Sequence, residues 1–195
     1  VNVFTRLLGR FVALPVIAFV QGVGEIQVPV RANPKIVRAV QKLTAKIAEQ
    51  RLANLEGAED CVVFSSGMSA ITTTILSLVH SGDHIVITDD SYKKTLEFCK
   101  SYLKQFAIDC TIVPFGDYGI IDRAIRKNTR FIFSESPTNP YLNIFDLVKI
   151  KKIADKHKIL TLIDSTFATP YNQRPIEFGM DLVLQSCTKY LAGHN

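Results

Sequence analysis

The chain has 195 residues, 47% of them hydrophobic and 21% charged, which is long enough for one well-buried domain and excludes a disordered chain. Its net charge of +5 is spread along the sequence, and the four cysteines form no CxxC pair, so a nucleic-acid arm, a zinc site and a disulfide framework are all disfavoured. A reducing compartment is expected, the cytoplasm or an organelle matrix.

Residues 1–40 are set apart as an N-terminal segment and 41–195 as the main domain. Phe11 to Val20 is apolar, follows Arg6 and Arg10, and precedes the first acidic residue, Glu25. Targeting-peptide cores and partly ordered leaders share that pattern. Pro15 interrupts the run, which is too short to span a membrane. The start at Val1 rather than Met is read as a sign that the native start lies elsewhere.

From about Glu49 onward, apolar β-branched runs alternate with helical patterns, the sign of βαβ units around a mostly parallel sheet with helices on both faces. Helices are expected near 35–56, 67–80, 91–105, 120–127 and 146–158, and strands near 61–64, 84–88, 110–114, 130–134, 159–163 and 182–185. Leu160-Thr-Leu-Ile163 is a nearly continuous apolar run, as a strand covered on both faces requires. In Val148–Lys158, Ile150, Ile153 and Ala154 share one helix face while Lys149, Lys152 and Lys156 recur on the other, a solvated face rather than a nucleic-acid site.

Function in such a fold gathers where strands end. Four polar clusters fall there: Ser65-Ser-Gly-Met68, Asp89-Asp-Ser-Tyr92, Asp164-Ser-Thr166 and Ser186-Cys-Thr-Lys189. The first is either a turn with a helix cap or a phosphate site, its backbone N–H groups and the positive helix end facing the anion and Gly67 allowing close approach. Ser186 and Thr188 alternate and can set two hydroxyls on one side. Asp164 ends an apolar strand, where a carboxylate is costly unless it meets a cation such as a protonated pyridine; an N-cap is the plain alternative. Lys189, desolvated at a strand end, can form a Schiff base with an aldehyde. Tyr92 offers an aromatic face or packs in the core. The four histidines show no ligand spacing, so no metal is expected, and the absence of GxSxG disfavours a serine hydrolase.

Taken in order, Leu55-Glu-Gly-Ala-Glu59, Ser66-Gly-Met68, Glu135-Ser-Pro-Thr-Asn-Pro140, Asp164-Ser-Thr-Phe-Ala-Thr-Pro170 and Ser186-Cys-Thr-Lys-Tyr190 with Gly193-His194 resemble the Cys/Met metabolism enzymes dependent on pyridoxal 5′-phosphate (PLP). The resemblance covers Leu52 to Asn195. It implies an α/β fold of type I, the aspartate aminotransferase-like large domain, with amino-acid substrates such as an activated homoserine, cysteine or cystathionine, and a homo-oligomer without nucleic acid or membrane. It also implies that Lys189 carries the cofactor and Asp164 pairs with the ring nitrogen. Tyr92 then stacks on the ring, and Gly67, Met68, Ser186 and Thr188 bind the phosphate. Asn139 and Thr166 lie with them.

Tyr92-Lys-Lys-Thr95 is similar to the basic version of plant-type cystathionine γ-synthases, which favours γ-replacement over the elimination catalysed by the γ- and β-lyases. Three departures stand beside this. The family's Tyr-x-Arg clamp falls on Val28 and Val30 or on Val37 and Ala39, depending on register. Gln185 and Cys187 replace a usual histidine and alanine. The sequence ends at Asn195, before the family's C-terminal domain, so a non-catalytic fragment that binds PLP weakly is the alternative expectation.

Overall fold

The computed structural model describes residues 16–20 and 34–193. Seven strands, β1 (Val16–Val20), β2 (Asp60–Phe64), β3 (His84–Thr88), β4 (Asp109–Val113), β5 (Thr129–Glu135), β6 (Leu160–Asp164) and β7 (Leu182–Ser186), form one sheet in the order β2-β1-β7-β6-β5-β3-β4. Every pairing is parallel. All seven carboxyl ends therefore face one edge, and the polar clusters that follow β2, β3, β6 and β7 share it.

The apolar runs split by parity, as a strand's two-residue period demands. Ile85, Ile87, Phe131 and Phe133 bury on one face, beneath helix α2 (Gly67–Leu78) and the helical segment that starts with α3 (Lys93–Glu97). Val86, Ile132 and Ile163 point to the other face, where α4 (Tyr118–Ala124) and α5 (Leu147–His157) supply Ile121, Ile150 and Ala154. Helix α1 (Pro34–Glu56) brings Ala53 against Cys61, Val183 and Cys187. A short α6 (Thr169–Asn172) and a 3-10 turn, Pro175–Phe178, lead into β7.

Two elements depart from the sequence reading. The helix expected over 91–105 is α-helical only through Glu97, then widens into a π turn, Phe98–Tyr102, before tightening into a 3-10 turn, Leu103–Phe106. Thr95, Cys99 and Leu103 all stay buried, so the changes of pitch leave the i, i+4 face on the sheet. Val16–Val20 falls within the leader-like apolar run, yet it pairs with both β2 and β7 in the sheet interior. The other residues of the 1–40 segment as far as Asn33 lie outside the described residues.

Behind the edge, fully buried Glu56 at the end of α1 accepts a 2.6 Å hydrogen bond from Gln185 Nε2 on β7, while its Oε2 has no partner among the described residues. Burial raises the Glu56 carboxyl from 4.5 to about 7, against the opposing pull of Gln185 and Arg174. The protonated form suits the fold, so its stabilisation is complete below pH 4.5 and is lost as pH rises through about 7. Urea unfolding at pH 5 and pH 8 should show Glu56→Gln losing less stability across that interval than the parent chain.

Candidate functional site

At the carboxyl edge lies a cleft of about 320 Å³. It is lined by all nine expected residues, Gly67, Met68, Tyr92, Asn139, Asp164, Thr166, Ser186, Thr188 and Lys189, and by Ser66, Glu135, Pro137 and Phe167 in addition. The cleft draws on loops after β2, β3, β5, β6 and β7, so only the assembled sheet brings these residues together.

One wall is the start of α2. Ser66 caps it reciprocally, its Oγ accepting from Ser69 N at 3.1 Å while Ser69 Oγ accepts from Ser66 N at 3.1 Å. The cap leaves the N–H groups of Gly67 and Met68, which a helix cannot satisfy internally, at the cleft. Thus the capping and anion readings of this cluster are compatible. Opposite stand Ser186 Oγ and Thr188 Oγ1, 3.1 Å apart. A Cβ on Gly67 would sit 3.2 Å from Ser186 Oγ, so a glycine is what allows helix and hydroxyl to approach this closely. Two hydroxyls facing a helix start provide donors suited to a phosphate.

The floor is acidic. Asp164 Oδ1 accepts from Thr166 N at 3.0 Å and from Thr166 Oγ1 at 2.6 Å, and Thr166 Oγ1 in turn accepts from Ser186 N at 2.8 Å. This chain locks the carboxylate to the hydroxyl wall. Asp164 Oδ2 makes no hydrogen bond among the described residues. Burial holds the Asp164 carboxyl above its ordinary value despite the Thr166 bonds. A cationic N–H donor is what such an oxygen lacks, and a protonated pyridine nitrogen fits it.

Beside Asp164, in register on the next strand, lies Glu135, 5% exposed. Its Oε1 accepts the backbone N–H of Tyr92. Burial first, then the Asp164 charge, raise Glu135 from 4.5 to about 8. Sequence reasoning quoted Glu135 only within a motif and gave it no role. The signal was present, because Glu135 closes its strand two residues beyond the apolar Phe131-Ile-Phe, just as Asp164 closes its own.

Over the mouth, Tyr92 is 41% exposed and Lys189 is exposed, its backbone N–H closing a 3.1 Å turn onto Ser186 O. The desolvated lysine anticipated from the strand end is therefore not what the described chain presents. Phe167 packs edge-on against Tyr190, the ring centroids 5.9 Å apart. The loop after β5 contains cis bonds at Ser136–Pro137 and Asn139–Pro140. It is tied down by Asn143 Nδ2, which donates to Asp90 at 2.9 Å. The site thus combines an anion cradle, an unpaired carboxylate oxygen, an aromatic face and a primary amine.

Residues 31–195 match the family described as Cys/Met metabolism PLP-dependent enzyme. Cystathionine gamma-synthase 1, chloroplastic, of Nicotiana tabacum is 42% identical over 153 residues, 78% of this chain and 28% of that protein. Cystathionine gamma-lyase of Bacillus subtilis is 43% identical over 152 residues, 78% of this chain and 40% of its own length. The chain thus spans well under half of these curated relatives. A crystal structure of metY from Campylobacter jejuni superposes with a TM-score of 0.74 at 36% identity, covering 76% of this chain and 36% of that one. That structure contains an N′-pyridoxyl-lysine-5′-monophosphate. Among the described residues, no helix is long and apolar enough to cross a membrane.

Gly67→Ala tests the cradle. Gly67 opens α2, where alanine is an acceptable helix residue, so circular dichroism should match the parent's. The added methyl crowds Ser186 Oγ, so binding of inorganic phosphate, read by phosphorus NMR, should weaken about tenfold, the equivalent of 1.4 kcal/mol.

Proposed function

The chain belongs to the Cys/Met metabolism PLP-dependent enzymes, and from that premise we propose that its cleft holds the cofactor and serves γ-replacement on an activated homoserine ester by cysteine, as in cystathionine γ-synthase. PLP is the cofactor of the family, amino acids are its substrates, and the sheet is the fold type I large domain. The observation that carries the site assignment is Asp164, an acidic strand end with one carboxylate oxygen unpaired and the other bonded through Thr166 to the hydroxyl wall.

In this reading Lys189 holds the cofactor, Asp164 meets its ring nitrogen, and Tyr92 lies against the ring. Gly67 and Met68 N–H groups and the Ser186 and Thr188 hydroxyls hold the phosphate, with Asn139 and Thr166 beside them. When bound, the cofactor supplies an electron sink for charge developing at the substrate Cα. Lys189 takes the Cα proton as general base and delivers protons at Cβ, which is why an exposed amine suits a role that needs movement. Asp164, kept negative opposite the ring nitrogen, favours the protonated ring. Tyr92, fixed through its backbone rather than its phenol, stacks and assists proton transfer.

Replacement rather than elimination is favoured by Tyr92-Lys-Lys-Thr95, the basic version similar to plant-type synthases. The second reading is a γ- or β-lyase of the same family, supported by the Bacillus subtilis relative at 43% identity. Product analysis separates them: cystathionine formed from a homoserine ester and cysteine supports the synthase, and cleavage of cystathionine to a keto acid supports a lyase.

Two outcomes are expected of the chain itself. Incubation with PLP, borohydride reduction and peptide mapping should place the phosphopyridoxyl group on Lys189; spread over surface lysines would remove that assignment. Asp164→Asn should weaken cofactor retention about tenfold or more, since a hydrogen bond to a charged group contributes about 1.5–3 kcal/mol. Retention equal to the parent's would take Asp164 out of the site.

A further inference from the structure

Two acidic side chains end adjacent parallel strands in register, Glu135 on β5 and Asp164 on β6, and both line the same cleft. Parallel neighbours in register place side chains on the same face, so the two carboxyls share one small volume. Among the described residues neither has an ion-pair partner. The groups that face Glu135 are Asp164 on β6, Asp90 and the Tyr92 N–H after β3, and the Asn139 N–H on the following loop; Lys189 lines the cleft. None of the groups acting on Glu135 is cationic. Two like charges on neighbouring strand ends, Glu135 buried and Asp164 half-buried, disfavour each other's ionised form when no cation lies between them.

We propose that Glu135 and Asp164 hold a single proton between them, and that Glu135 is a positioning residue. It keeps that proton so that Asp164 alone is charged opposite one cationic ring nitrogen, and it anchors the backbone of Tyr92. This deepens, and rests on, the reading of the cleft as the cofactor's site. The raised values of both groups, about 8 for Glu135, agree with one proton per pair at pH 7. A single negative charge then balances a single positive one, where two would leave an uncompensated buried anion. Glu135 also takes the Tyr92 N–H through Oε1, so the ring's stacking partner and its charge partner are both referenced to one side chain.

Carbon-13 NMR of the side-chain carboxyls, followed from pH 4 to 9 in the 195-residue chain without ligand, tests the pair. In the parent, Glu135 should remain protonated at pH 7. Asp164→Asn should lower the Glu135 midpoint, and Glu135→Gln the Asp164 midpoint, each by about one unit or more, the mark of coupled sites. Glutamine keeps an acceptor for Tyr92 N–H, so circular dichroism and exchange of the Tyr92 amide should match the parent; Glu135→Leu, which has no acceptor, should speed that exchange. Ordinary titration of Glu135 in the parent, or midpoints that ignore the partner substitution, would overturn the proposal. Pyridoxine 5′-phosphate, which lacks the aldehyde and cannot bond to Lys189, is then added. Asp164 should ionise at lower pH while Glu135 keeps its proton. Coupling in the free chain that this ligand leaves untouched would support the pair and remove the cofactor reading of the cleft, so the two fail separately.

Discussion

Two carboxylates without a cation between them, at the ends of neighbouring buried strands, are the constraint around which the cleft is arranged. A charge in that position is costly, and loop donors are recruited to it: Thr166 to Asp164, Tyr92 N–H to Glu135. Those donors belong to the loops that line the site, and solvating the acids therefore orders the loops. What no donor of the described chain reaches is one oxygen of Asp164, the point at which a cationic ligand can contribute.

The parallel sheet makes this possible without precise loop conformations. Adjacent strands in register deliver neighbouring side chains to one edge, and helix α2 begins at the same edge with its unsatisfied N–H groups. Negative floor and positive rim lie within one cleft, so a ligand cationic at one end and anionic at the other is oriented by field alone before any contact is refined. Gly67 sets how closely the rim approaches the hydroxyls of Ser186 and Thr188.

Much of this was legible in the sequence, for a physical reason. Runs such as Ile85–Ile87 and Phe131–Phe133 are apolar throughout because helices cover both faces, and such runs announce themselves and the polar residues that follow them. Asp164 and Lys189 were legible by the same contrast. Glu135 was not given weight because a motif absorbed it, although the rule applied to Asp164 selects it equally. The exposure of Lys189 was not legible, since strand-end position says where the residue lies and not what covers it. Nor was β1: an apolar run behind two arginines and a proline reads as a leader, and its partners, starting at Asp60 and Leu182, are remote in sequence.

That remoteness bears on how the protein is made. Of the described strands, β1 comes first in the chain and is an interior strand of the sheet, and one of its neighbours is β7, which comes last. During translation β1 can dock on β2 early, but its second edge must wait until Leu182–Ser186 leaves the ribosome. An apolar strand edge held open for so long is a template for other strands. Closure of so non-local a pairing is slow as well. Until β7 has been made, the described sheet therefore stands in two halves, β2-β1 and β6-β5-β3-β4, each with an edge open to other strands.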